Sequence, residues 1–203
     1  MPTFVLVLAS ALASCVSVPP EAAPSPSPPP AMTSDSTLFD FDTDDEPGDD
    51  EPGWFVDNDG IMGGHSKGFI DLGGGTLSFT GELVTRDGGF TSARVEHRAD
   101  LSAYDGVELR VRGGGRTFEM EVNDATRNRQ REVSRRAPFP TADEWQTVRI
   151  PFADLTSTAF GEPVDVGPLD QANIESFGIF IADGQDGPFE LEVDWVRPYT
   201  EAG

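Results

Sequence analysis

Cysteine is almost missing from this chain. Its 203 residues hold one, Cys15, outside any segment that could pack a core. Disulfides are thereby excluded as a source of stability, and a buried core must hold the fold. About 160 residues can bury roughly 70% of their unfolded surface, which suffices for one domain. With two histidines and one cysteine, a usual zinc cage cannot be assembled. Lysine is as scarce: Lys67 is the only one, against thirteen arginines, in a chain of formal net charge −22. Such a negative field disfavours nucleic acid and anionic membrane surfaces as partners. Nine carboxylates fall in residues 35–51 with no base among them, leaving −13 on the rest, so the body is acidic as well as the tail. An acidic, lysine-poor body reads as halophile-like and predicts stability that rises with salt.

Residues 1–14, MPTFVLVLASALAS, carry no charged side chain and form an apolar run ending in small residues, the pattern of a cleaved signal peptide. The run is too short to span a bilayer, which takes about 20 residues. Leu12-Ala13-Ser14-Cys15 resembles a bacterial lipobox, which predicts lipidation of Cys15 and an extracytoplasmic, lipid-anchored protein of the cell envelope. An ordinary cleaved signal with an incidental cysteine is the alternative. Residues 15–36 then form a proline-rich spacer, too poor in apolar residues to pack. The expected organisation is a signal peptide at 1–14, a lipidated spacer at 15–36 and one folded domain at 37–200.

That domain shows no window of helical length with a 3.6-residue apolar period, apart from short stretches such as 152–159 and 169–177. Strand-like runs recur instead: 37–41, 76–79, 82–85, 90–97, 106–112, 117–122, 145–150, 176–182 and 189–196. In GVELRVR, Val107, Leu109 and Val111 point one way while Glu108, Arg110 and Arg112 point the other. About nine such strands predict an all-β jelly-roll sandwich.

Gly64-His65-Ser66-Lys67-Gly68 fits the G-x-S-x-G nucleophile elbow. That motif needs a strand entering and a helix leaving the serine, and KGFIDLGGG cannot be a helix. A catalytic Ser66 is therefore disfavoured, and no enzyme is expected. DNDG at 57–60 is a fragment of a calcium loop whose expected acid at position 55 is Phe. A structural calcium ion is possible on these residues, an Asx-rich turn fits them better, and no other cofactor is implied. Five arginines in residues 127–136 read as a ridge paired with the body's own carboxylates or as a docking patch for an acidic partner, the first being favoured.

Several segments together carry a resemblance. GWFVDNDGIMGGHSKG is similar to the W-x-x-x-N-D-x-x-M-G-G-x-S signature of the complex I intermediate-associated protein 30 family. LSFTGELVTRDGGFTSAR, YDGVELRVRGGGRTFEM, EWQTVRIPFADL and IESFGIFIADGQDGPFELEVDWV resemble its further blocks, with Asp87, Gly114 and Phe118 departing from the usual residues. The resemblance implies a galactose-binding-like jelly roll and an assembly-factor or chaperone-like role. Its signature loop supplies the candidate binding residues Trp54, Asn58, Asp59, Met62, Gly63, Gly64, Ser66, Phe90 and Arg94. In this reading Gly63 and Gly64 make a tight positive-φ turn beside Trp54, and Arg94 requires a buried partner. The expected partner is an envelope protein; a carbohydrate ligand is the alternative, by analogy of fold.

Overall fold

The computed structural model describes residues 37–42 and 53–201. The expected signal peptide, Cys15 and most of the acidic run lie outside the described residues. Among the described residues fifteen strands follow one another: β1 Phe39–Asp40, β2 Phe55–Asn58, β3 Lys67–Gly73, β4 Thr76–Leu83, β5 Thr91–Ala99, β6 Gly106–Arg112, β7 Thr117–Asp124, β8 Arg127–Asn128, β9 Arg131–Glu132, β10 Ser134–Pro140, β11 Gln146–Pro151, β12 Thr156–Ala159, β13 Glu162–Pro163, β14 Ile174–Ile181 and β15 Gly187–Tyr199. Of three short 3-10 turns among the described residues, Asp59–Met62 follows β2, and the others are Phe152–Asp154 and Gln171–Asn173.

The strands form two antiparallel sheets. Sheet A runs β11-β6-β15-β4-β3, with β1 beside β15; sheet B runs β13-β12-β10-β7-β14-β5-β2. Strands β8 and β9 stand apart as a hairpin. Period-two alternation puts Leu77, Phe79 and Leu83 of β4 and Val107, Leu109 and Val111 of β6 on the inner face of sheet A, all fully buried. Sheet B answers with Phe118, Met120 and Val122 of β7 and Phe177, Ile179 and Ile181 of β14. Each such side chain contributes roughly 1.5–3 kcal/mol on burial, so the two-layer core replaces cross-links. The expected all-β jelly-roll sandwich is the observed fold.

Two expected strands, 76–79 and 82–85, are one. Gly81 lies inside β4 because a side chain there would meet the Lys67 carbonyl at 2.0 Å and the Phe189 ring at 2.7 Å. The register also separates the two ends of the sandwich. Asn58, Thr91 and Ile181 align at one end, and Ala99, Ile174 and Asp124 at the other. The signature loop after β2 belongs to the first end, the β8–β9 hairpin to the second. At the side of the sandwich, the edge strand of sheet B (β2) adjoins that of sheet A (β3): the Gly68 amide donates to Asn58 Oδ1 at 2.9 Å.

Candidate functional site

The loop after β2 is built around one carboxylate. Asp59 is fully buried and collects the backbone amides of Ser66 (3.0 Å), Gly89 (2.8 Å) and Phe90 (3.4 Å) together with the Ser66 hydroxyl (2.7 Å). Burial raises the pKa of this carboxyl, but the four donors outweigh burial and hold it below the ordinary value. Asn58 works beside it: its Oδ1 accepts from the Gly68 amide and from the Thr91 hydroxyl at 2.7 Å. Neighbouring side chains thus bind three chain segments, 58–59, 66–68 and 89–91, into one unit.

The two glycines of the loop serve different ends. Gly63 takes a left-handed conformation, φ 87°, and closes the 3-10 turn through its amide. Gly64 has no such φ. It is required for space, since a Cβ there would lie 2.1 Å from the Asp59 carboxyl carbon. The expectation of a paired positive-φ turn beside Trp54 is corrected accordingly. Trp54 lies at the other end of β2 and packs edge-on against Phe39 at 5.2 Å, with Phe41 at 6.0 Å.

Ser66 is not poised as a nucleophile. Its hydroxyl donates to Asp59, its oxygen accepts the Val84 amide at 3.1 Å, and the chain runs on into β3 rather than a helix. Among the described residues no group of three or more His, Cys, Asp or Glu could hold a metal ion. The side-chain oxygens of Asn58 and Asp59 accept from amides and hydroxyls, and the chain turns here through the 3-10 segment Asp59–Met62.

Phe90 and Arg94 belong to a second arrangement, on the outward face of sheet B. Cross-strand pairing aligns Phe55, Arg94, Gly178, Glu121, Arg136 and Thr156 in one row. Arg94 reaches over Gly178 to Glu121, Nη2 to Oε2 3.2 Å, and Glu121 is buried and also accepts the Ser134 hydroxyl. A side chain at position 178 would crowd this bridge, 3.0 Å from Glu121 Oε2 and 3.3 Å from Arg94 Cγ. The guanidiniums of Arg94 and Arg136 lie over the Phe180 ring at 4.9 and 4.4 Å, and Phe90 stacks beside it at 5.7 Å. Arg136 is held by Glu119 at 2.7 Å. The buried partner that Arg94 needed is Glu121. The sequence offered a signal in TFEMEV, where Glu119 and Glu121 alternate with buried residues.

Nine candidate residues therefore divide. Asn58, Asp59, Gly63, Gly64 and Ser66 form the loop; Phe90 and Arg94 join the sheet face; Trp54 packs with β1. Met62 alone projects, 62% exposed. Phe55 at 47%, Phe69 at 62% and Leu72 at 47% are also exposed on the adjoining edge strands, on different faces: Phe55 beside Arg94 on the outer face of sheet B, Phe69 opposite Thr80 on the outer face of sheet A, and Leu72 opposite Leu77 on its inner side. The arginine run 127–136 also divides. Arg135 is buried against Asp124 at 3.4 Å and Arg136 binds Glu119, whereas Arg129 and Arg131 pair with no carboxylate among the described residues.

The family described as Complex I intermediate-associated protein 30 matches residues 39–193. The mouse mitochondrial protein of that name is 30% identical over 176 residues, covering 73% of this chain and 52% of its own. A probable counterpart from Caenorhabditis briggsae is 27% identical, covering 71% and 49% respectively. This chain thus spans about half the length of the curated relatives it matches. Among solved structures, the family 11 carbohydrate-binding module of a Clostridium thermocellum cellulase superposes with a TM-score of 0.60 at 16% identity, covering 84% of this chain and 97% of that one. The family 30 module from another cellulase of the same organism gives 0.54 at 17% identity, covering 82% and 98%. These likenesses concern the fold. Both curated relatives are mitochondrial proteins, which overturns the bacterial lipid-anchored envelope location read from residues 1–15. Their name denotes association with an intermediate rather than a reaction, and the Ser66 hydroxyl of this chain is engaged by Asp59. With five sequence blocks resolved into one sandwich and a match over most of its folded length, the chain belongs to the Complex I intermediate-associated protein 30 family.

Proposed function

We propose that this domain is a protein-binding assembly module whose contact surface is the signature-loop end and the edge beside it. The observation that carries this reading is Met62, an exposed apolar side chain held out by a loop that the buried Asp59 fixes, on an otherwise strongly charged body. Asn58, Asp59, Gly63, Gly64 and Ser66 fix the loop's shape, and Met62 makes the contact. The relatives' name supplies the partner class: a protein intermediate in the assembly of complex I.

The carbohydrate reading draws on fold likeness alone, and three rings of this molecule, unlike the exposed Phe55, Phe69 and Phe160, are already covered. Phe180 is capped by two guanidiniums, Trp54 is packed against β1, and the Trp145 ring has Arg110 and Arg112 at 5.7 and 5.1 Å. None offers a bare stacking platform for a sugar ring.

The test is site-specific photocrosslinking from position 65, exposed on the same loop, of the full chain in cells. A reproducible protein adduct that migrates with respiratory assembly intermediates, and disappears in Met62→Ser/Phe69→Ser, is the expected result. Retention of the protein on soluble mixed-linkage β-glucan, with no protein adduct, would overturn the proposal.

A further inference from the structure

At the end of the sandwich opposite the signature loop, backbone strain and unpaired positive charge coincide. Four non-glycine residues among those described have positive φ, and three of them are here: Arg129 (50°), Gln130 (69°) and Phe160 (54°). Arg129 and Gln130 are the two turn residues of the β8–β9 hairpin, where Asn-Gly is the least strained choice. Phe160 precedes Gly161 in the turn between β12 and β13, another position that glycine or asparagine fills most easily. A bulky side chain at positive φ costs free energy and persists where something compensates for it.

What these residues hold out is unusual for this chain. Phe160 is 72% exposed, the most exposed large apolar side chain described, and the Arg131 guanidinium lies 4.9 Å from its ring centroid. Arg129 projects from the hairpin tip, exposed. Arg127, at the hairpin base, leans toward Glu132 at 3.6 Å and Glu175 at 3.9 Å. The tip therefore carries two uncompensated guanidiniums and an aromatic ring on a protein of net charge −22. Strong overall negative charge repels acidic partners in general, so a local positive patch can steer one to a single place.

We propose that the β8–β9 hairpin and Phe160 form a docking surface for an acidic protein segment, its carboxylates meeting Arg129 and Arg131 and one apolar side chain resting on Phe160. Guanidinium–carboxylate pairing supplies the charge contacts, and the ring supplies apolar area beside them. This surface lies at the far end from Met62, so it does not depend on the reading of the signature loop.

The probe is a fluorescein-labelled twelve-residue peptide of glutamate and aspartate around a central Leu-Phe pair, read by fluorescence anisotropy at low and moderate salt. Saturable binding is expected, weakening as salt rises and falling about tenfold or more in Arg129→Glu/Arg131→Glu. A second variant separates docking from architecture. Arg129→Asn/Gln130→Gly/Phe160→Asn relieves the strain, so it should raise the melting temperature by about 2–4 °C while losing the peptide. Absence of saturable binding by the wild type, undiminished binding by both variants, or equally tight binding of a single-stranded oligonucleotide would each overturn the proposal.

Discussion

A single aspartate decides whether the signature loop keeps its shape. Asp59→Ala leaves three amides and a hydroxyl without their acceptor, and we expect a loss of about 3 kcal/mol in chemical denaturation. Gly64→Ala should be comparably harmful although it deletes nothing, because the added methyl group overlaps the carboxylate. Met62→Ser, exposed and unencumbered, should leave the denaturation midpoint nearly unchanged. This ordering was only partly legible in the sequence. The string around Asn58 and Asp59 marks a turn by composition, but that Gly88 also presses on Asp59, with a hypothetical Cβ 2.5 Å from Oδ2, follows from tertiary approach over a gap of 29 positions. Arg94 posed a legible question, a charge within a buried-looking strand. Its answer needed the register that brings Glu121 across β14.

Strands with clean alternation, such as β6, were readable in advance; those with mixed composition were not. SRRAPFP, residues 134–140, has two prolines and two arginines, yet forms β10 in the interior of sheet B. Pro138 and Pro140 lie beyond Arg136, the last residue that β12 pairs, so their missing amides cost the ladder little. Arg135 hides on the core side of the same strand. It closes the sandwich end by pairing with Asp124 and donating to the Gly167 and Pro168 carbonyls at 2.9 and 3.3 Å. Arg135→Ala would leave Asp124 buried without its cation. We expect a loss of about 3–5 kcal/mol, measured as a shift in the urea midpoint. A run of charges gives no sign of which member turns inward; the strand's phase against β7 decides it. Two separated blocks also meet outside the strands, where Arg116, just before β7, grips Asp183, just after β14, through two bonds of 2.7 and 2.8 Å.

For the molecule as a whole, titration sets the stability profile. Five carboxyls lie below their ordinary value, Asp100 and Asp186 among them through hydrogen bonds from Ser102 and Thr85; the three that are shielded from solvent are Asp59 and Asp124, where burial opposes but surrounding donors prevail, and Asp183, held chiefly by the Arg116 hydrogen bonds. Their folded values are depressed, so their contribution is fully present above the unfolded carboxylate value of 3.8 and is lost as pH falls through the lower folded values. Asp194 has the opposite sign: burial and repulsion from Asp42 and Asp40 raise it, so protonation relieves rather than harms. The expected curve of melting temperature against pH is flat near neutrality and falls steeply below about 3.8. At neutral pH, added salt should raise the melting temperature by screening self-repulsion among the net 22 negative charges. A decline with salt would show that the arginine pairs outweigh that repulsion.

The amide of Gly68, at the start of edge strand β3, and that of Ser66 just before it are taken up by Asn58 and Asp59 rather than by another strand. The signature loop is therefore a stopper fitted to an otherwise adhesive border. Dislodging it would uncover these two donors beside Phe69, and the expected consequence is edge-to-edge pairing between copies of the chain.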